Sequence, residues 1–477
     1  MTATLRSHRW SVASGRRADR RGVIRRFGIA TVGLALLFAS ACSTTDVGDE
    51  GKATNVDPTA SEPSDNDEGT VEPGPTTGLT DTTIKIAIGV PDFTALVEQG
   101  LVPNLGDIEA EMKAYVAHVN AEGGIAGREI IASYHVYDPA DLTGESVRTA
   151  CIEATEEEQA FAVIGMPAWL ASGTLCVAAE HDTPIIATTS LTPSLQNASE
   201  GRAFSIAMGL VRMFGGWATG LHERGELEGK TIGVITGDTD DTVTEAIDDG
   251  LIPTLEALGY TVAESIVLPC ASVVCEQHDT AVERLRSSNV DLLFDALGPV
   301  SSPTFIGAAQ AAGYQPEYTM SSTLLADTVA KFHESVADEL AGSRGVGDFG
   351  TPVEGLPEPT DTYGEACVAV YNDEVDEPIT DDAAGMMRQG CLMLDIIKRG
   401  AENVDQLGQD SLVVGIERLG SLDWLAVDDP NCEPSFRPGS FGPGKHDAGN
   451  WLTLNEFDPE LSVFRRAEPC VWFEVDA

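Results

Sequence analysis

The chain has 477 residues, with 29 Lys and Arg against 76 Asp and Glu and 42% hydrophobic residues. That length exceeds one ordinary core, and that apolar content excludes wholesale disorder. A net charge of −47 excludes a nucleic-acid partner, whose phosphates need clustered Lys and Arg. The charge is unevenly spread, because residues 1–41 hold eight Arg and one acid while the rest carries −54.

The basic head reads as an export signal. Arg25-Arg26 precede an apolar run, Phe27 to Phe38, followed by Ala39-Ser40-Ala41-Cys42. A run of about 12 residues is too short to span a bilayer, which takes about 20. Charge, apolar stretch and small residues in that order make a secretory signal, of the general or the twin-arginine type. Cys42 after three small residues resembles a bacterial lipobox, with Ala39 where Leu is usual. The resemblance implies cleavage before Cys42 and a lipid on its sulfur. Residues 42–80 form an acidic tether with nine acids, one Lys and almost no large apolar residue. Such a segment has too little to bury to offset its ordering entropy, and its reach is on the order of 35 Å.

The body alternates strands and helices. Thr83 to Ile88 is a strand closed by Gly89 and Pro91, and Ile108, Met112, Tyr115, Val116 and Val119 recur at helical spacing. Strand 130–134, helix 147–156, strand 161–165, helix 172–180 and strand 184–188 follow. The series restarts after strand 204–208, with helix 213–223 and strand 231–236. Helix 243–258, strand 261–268, helix 279–287, strand 291–294, helix 305–313 and strand 317–320 complete it. Helices 363–371 and 384–397 and strands near 451–453 and 461–465 end the chain. Short strand–helix–strand spacing predicts parallel sheets with helices on both faces, in two doubly wound lobes with a cleft between them.

Eight cysteines besides Cys42 make an even set, as in exported disulfide-bonded proteins. They permit 105 pairings. Nearest-neighbour pairing is the simplest: Cys151 with Cys176, Cys270 with Cys275, Cys367 with Cys391, Cys432 with Cys470.

The run from Tyr115 to Arg128, with Asn120-Ala121-Glu122-Gly123-Gly124 at its centre, resembles the first helix and turn of type 1 periplasmic binding proteins. More narrowly it is similar to the branched-chain amino acid and amide branch of ABC-transporter substrate-binding lipoproteins. Tyr137-Asp138-Pro139-Ala140-Asp141, Phe161 to Gly165, Pro184 to Thr192, Ala308 to Tyr314 and Phe441 to Asp447 fit that branch in order. The resemblance covers residues 81–470. It implies a proximal lobe of residues 81–207 and 326–410, and a distal lobe of residues 208–325 and 411–477, joined by a multi-strand hinge. It also implies capture of a small organic solute, delivery to an ABC permease, no cofactor, and a monomer held outside the cytoplasmic membrane by its lipid. A disulfide between Cys151 and Cys176 gains support from the same resemblance.

Candidate ligand residues follow strand ends. Asp92 and Phe93 close the first strand. The family's small hydroxyl residue four positions after Gly165 is here Trp169, as a ligand-facing ring or as core. Ser190 and Thr192 match family ligand positions, with helix capping as the alternative. Asp238, Thr239 and Asp241 offer distal carboxylates and a hydroxyl suited to a cationic or hydroxylated solute, or form a solvated acidic turn. Ser301 and Ser302 follow a buried strand at a helix start, as ligand contacts or as helix caps. Asp238, Asp240 and Asp241 lack the continuation of a calcium loop, so no metal is expected. No H-E-x-x-H pattern and no G-x-S-x-G elbow is present, so no catalytic set is expected. A ligand-sensing lipoprotein signalling to a membrane kinase, or an exported hydrolase, is the alternative function.

Overall fold

The computed structural model describes residues 71–98, 104–141, 143–167, 169–238, 241–271, 274–321, 336, 338–347, 361–373, 375, 378–379, 381–460 and 462–475. The expected signal at 1–41, Cys42, most of the expected tether, and Thr239 lie outside the described residues.

The first lobe is built on five parallel strands, β1 Thr83–Pro91, β2 Glu129–Tyr137, β3 Ala162–Gly165, β4 Ile185–Ala187 and β5 Ala203–Ser205, in the order β2-β1-β3-β4-β5. Ile84, Ile86 and Ile88 project to one face, against helices Ile108–Ala121 and Asp381–Glu402. Ala87, Val163 and Ile185 project to the other, where Val147, Cys151, Cys176 and Val177 cover them. With both faces covered, the strands read as continuous apolar runs rather than alternating ones.

The second lobe begins with β6 Ile232–Gly237, β7 Val262–Leu268, the short hairpin β8 Cys270–Ala271 and β9 Val274–Cys275, then β10 Leu292–Ala296, β11 Glu317–Ser321 and β12 Arg344–Gly347. The C-terminal third adds β13 Val427–Asp428, β14 Cys432–Glu433, β15 Phe436–Arg437, β16 Trp451–Asp458, β17 Val463–Arg466 and β18 Cys470–Glu474. The second sheet runs β14-β18-β16-β12-β11-β10-β6-β7, with β17 on β16. Its parallel part repeats the strand order of the first lobe. Each lobe therefore reverses strand order once, at β1/β3 and at β6/β10, the places where open α/β sheets leave a crevice. Trp217 is buried between sheet and helix and donates its indole N–H to Thr319 Oγ1 at 2.7 Å, which satisfies its one polar atom.

Three features differ from the sequence reading. The tether expected to run to residue 80 stops earlier. Gln409 donates to Pro75 O and Lys85 to Gly78 O, each at 2.8 Å, and Leu79 packs on the first core. Gly78 has φ 72°, and a Cβ there would lie 2.5 Å from Gln159 O, so glycine is what lets the segment dock. Second, Leu412, Ile416, Leu422, Phe441 and Ala448 belong to the first core, although residues from 411 onward were expected in the distal lobe. Strand β12 in turn lies in the second sheet, although residues 326–410 were expected in the proximal lobe. Third, the helix expected from Phe305 begins at Gly298, with Pro299 in its first turn, where the missing N–H costs nothing.

The chain forms four disulfides, Cys151–Cys176, Cys270–Cys275, Cys367–Cys391 and Cys432–Cys470. The first spans 25 residues and the second 5. The chain-entropy argument gives about 3–4 kcal/mol for the longer loop and about 2 kcal/mol for the shorter. Replacing Cys151 and Cys176 together by Ala is expected to lower the denaturant midpoint more than the same change at Cys270 and Cys275. Equal midpoints at equal slope would overturn that ranking.

Candidate functional site

The rim where both sheets present their strand carboxyl ends gathers most of the sequence candidates. At the end of β1, Asp92 is exposed and its Oδ1 accepts from Thr94 N at 3.0 Å. Hydrogen bonds from the Thr94 side chain and N–H hold its carboxyl below the usual aspartate range. Phe93 is half-buried and packs on the first core. A cavity of about 580 Å³ opens beside these two residues, lined by first-lobe residues alone, among them Glu98, Asp107 and Val136.

Trp169 is 2% exposed. Its ring lies edge-on to Tyr137 at 5.3 Å, and a Cβ on Gly89 or Gly165 would come within 2.5 and 2.8 Å of it. The two glycines open a slot at the ends of β1 and β3, and the indole fills it. Tyr137 Oη sits 2.7 Å from Met166 O and 2.6 Å from Pro167 O, donating to the turn that carries the ring. Trp169 is therefore a core side chain under the rim.

Thr192 is 1% exposed and caps helix Pro193–Ala198, its Oγ1 accepting from Leu195 N at 3.3 Å. Ser190 is half-buried. One turn on, exposed Ser194 meets a residue the sequence reading missed. Its N–H donates to Glu245 Oε1 at 2.9 Å, and its hydroxyl donates to Glu245 Oε2. Glu245 ends helix Asp241–Glu245 of the second lobe, so this contact crosses from lobe to lobe. Burial alone would raise the Glu245 carboxyl, but hydrogen bonds from Ser194 and Thr192 hold it below the usual glutamate range. The signal was Ser194, a second hydroxyl after Thr192-Pro193, facing an acid one turn beyond Asp241.

In the second lobe Asp238 and Asp241 are exposed on the rim. Asp238 Oδ1 accepts from Cys270 N at 2.7 Å and so pins the β8–β9 hairpin. Ser301 and Ser302, expected at the ligand, are buried instead. Ser301 Oγ accepts from Cys275 N at 2.9 Å, and Ser302 Oγ donates to Asp295 Oδ1 at 2.9 Å. Burial raises the Asp295 carboxyl to about 6, against hydrogen bonds from Leu297 N–H and Ser302. Both serines are drawn inward because helix Gly298–Ala311 starts about two turns earlier than the apolar spacing indicates.

Seven segments at the rim are free of cations in sequence. Residues 91–107, 138–144, 166–172, 188–194, 237–245, 269–278 and 297–304 contain no Lys or Arg. They contain Asp92, Asp107, Asp138, Asp141, Asp238 and Glu245 among other acids. Cys151, Cys176 and His181 lie within 4.8 Å of one another, but both sulfurs are committed to a disulfide.

Residues 100–439 match the sequence profile of the periplasmic binding proteins. The chain belongs to that family. Its fold is also that of solved solute-binding proteins. An ABC transporter substrate-binding protein from Desulfitobacterium hafniense in complex with Leu is 16% identical, with a TM-score of 0.52 over 81% of this chain and 100% of that one. A solute-binding protein of an ABC transporter from R. palustris in complex with 4-hydroxybenzoate is 14% identical, with a TM-score of 0.58 over 83% and 98%. The branched-chain amino acid transporter substrate-binding protein LivJ from Streptococcus pneumoniae, in complex with isoleucine, is 12% identical, with a TM-score of 0.55 over 82% and 100%. No curated protein sequence matches. In this periplasmic binding protein the two-lobed type 1 architecture is therefore present without close sequence kinship.

The burial of Trp169 makes a distinct prediction. Trp169→Ala is expected to destabilise the fold by about 3–5 kcal/mol, the usual cost of emptying an aromatic site in a core. Thermal and denaturant unfolding read this directly. A variant as stable as the parent would return Trp169 to the cleft surface.

Proposed function

We propose that this protein captures a small organic solute between its lobes outside the cytoplasmic membrane and hands it to an ABC permease. In this reading Cys42 carries the lipid anchor, and the acidic segment before Pro73 is the tether. The observation that carries the reading is the Ser194–Glu245 contact. It joins the lobes directly over the strand carboxyl ends, as a clamp closing on a cleft must do. Membership of the periplasmic binding proteins and the fold of the amino acid and hydroxybenzoate binders support it. Among the described residues no helix is long and apolar enough to cross a membrane.

The solute is a neutral or cationic molecule. The rim loops named above carry acids and no Lys or Arg, so an anion finds no ion pair there and meets a repulsive field. Exposed Asp92, Asp238 and Asp241, with half-buried Phe93 and Ser190, are its proposed contacts.

Mass spectrometry of protein purified natively is expected to recover such a molecule. Recovery of an anion without a basic group would overturn the charge assignment. With the solute in hand, Glu245→Ala is expected to weaken binding about fivefold, since a pair of partly solvated hydrogen bonds contributes roughly 1 kcal/mol to the closed state. Unchanged affinity would remove Glu245 from the closing step.

Anchoring is tested separately. Cys42→Ser is expected to release the protein from membranes after a salt and carbonate wash. Retention of that variant would sink the lipid assignment.

A further inference from the structure

We propose that residues 420–441 form an arm that braces the two lobes across the hinge and limits how far they open. The inference rests on the reading that the lobes move relative to each other.

The base of the arm belongs to the first lobe. Leu422 and Phe441 are buried in its core, and their N–H groups donate to Gly439 O and Gly420 O, each at 2.9 Å. Trp424 lies edge-on to Tyr363 at 5.1 Å, with the Arg399 guanidinium 4.0 Å from its ring. The tip belongs to the second lobe. Strand β14 pairs in parallel with β18 through Cys432↔Cys470 and Glu433↔Val471, and the same cysteines are covalently joined. Fully buried Asp429 pairs with Arg466 of β17. The Arg437 guanidinium lies 4.3 Å from the ring of Trp472 on β18.

Base and tip are thus held by opposite lobes, with short chain between them. Six residues lie between Leu422 and Asp429, and three between Arg437 and Phe441. The Pro438 carbonyl, just after β15, accepts from Trp451 Nε1 at 3.1 Å and Asn450 Nδ2 at 3.3 Å, just past the last crossing. Rotation of one lobe away from the other must either stretch these links or peel the tip from β18, and the disulfide forbids the second.

Hydrogen exchange on the ligand-free full chain tests the brace. The Ser194 amide reports cleft opening, because its acceptor is Glu245 across the cleft. The Ser205 and Ala448 amides report the crossing, where they donate to His446 O and Ser205 O. Cys432→Ser with Cys470→Ser is expected to speed exchange at all three amides roughly tenfold, while Val163 and Val234 in the sheet interiors keep their rates. A second variant leaves the disulfide intact and inserts Gly-Ser-Gly-Ser between Ala426 and Val427. It is expected to give the same pattern by slackening the arm, and it decides alone if the serine variant does not fold. Unchanged rates at Ser194, Ser205 and Ala448 would overturn the brace. So would equal acceleration at Val163 and Val234, which marks a general loss of stability. A brace that passes this test in a chain that yields no solute leaves the hinge assignment standing and removes only the transport reading.

Discussion

Arg212 holds the place where the chain passes between the lobes. Its guanidinium donates to Asp447, to Gly449 O at 3.0 Å and to Val475 O at 2.5 Å. One cation thereby joins the helix that opens the second lobe, the last crossing and the C-terminal strand. The crossing segments run in close contact. A Cβ on Gly449 would lie 2.7 Å from Met208 N, and one on Gly209 would lie 2.8 Å from Asp447 Oδ2. Lys445 Nζ adds a bond to Ser440 O at 2.7 Å and a second to the Asp447 backbone. Burial lowers the Lys445 ammonium pKa, with Asp447 opposing that shift. Removing one partner from such a set strands a buried charge, which costs more than the pair itself contributes.

The scarcity of cations gives this arrangement its meaning. Outside the head, 21 bases face 75 acids, and many of the bases that exist are committed to junctions. Arg202 reaches Asp410 beside the docked end of the tether, Arg344 reaches Glu226 and Glu456, and Arg466 reaches buried Asp429. None of these three lies in the seven rim segments that lack Lys and Arg. The same allocation that ties the body together leaves those rim segments acidic, which links the proposed charge preference to how the fold is held. Most of the other described acids are exposed, and their mutual repulsion, which salt screens, opposes association.

Packing at the rim decides which side chains are left for a solute. Gly89 and Gly165 admit the Trp169 ring beneath the surface, and Tyr137 holds the turn above it. The ring therefore stiffens the floor of the cleft. Hydroxyl groups follow the same logic. Thr192, Ser301 and Ser302 are used up in capping and in satisfying buried polar groups, and Ser194 is committed to Glu245, while Ser190 stays half-exposed. A floor of this kind, with few free polar groups above it, suits recognition by a small number of contacts that form as the lobes close.

Much of the architecture was legible in sequence because it rests on local periodicity. Apolar runs of four to six residues alternating with helical spacing place β1, β3, β4, β6 and β10 and their helices, and both faces of a parallel sheet demand that pattern. An even cysteine count with nearest-neighbour pairing matches the four bridges, each of which joins a cysteine to the next one along the chain. What the sequence could not decide depends on packing between distant segments. Trp169 reads as a rim residue until two glycines, 80 and 4 residues away in the chain, are seen to open a slot for it. Ser301 and Ser302 read as free hydroxyls until an early helix start turns them inward. Glu245 reads as one acid among 76 until the second lobe brings it onto Ser194, 51 residues earlier. The arm reads as a Gly- and Pro-rich loop until β18 gives its tip a strand to pair with. Local sequence sets which way a residue faces along its own element, whereas only the folded chain sets what stands opposite it.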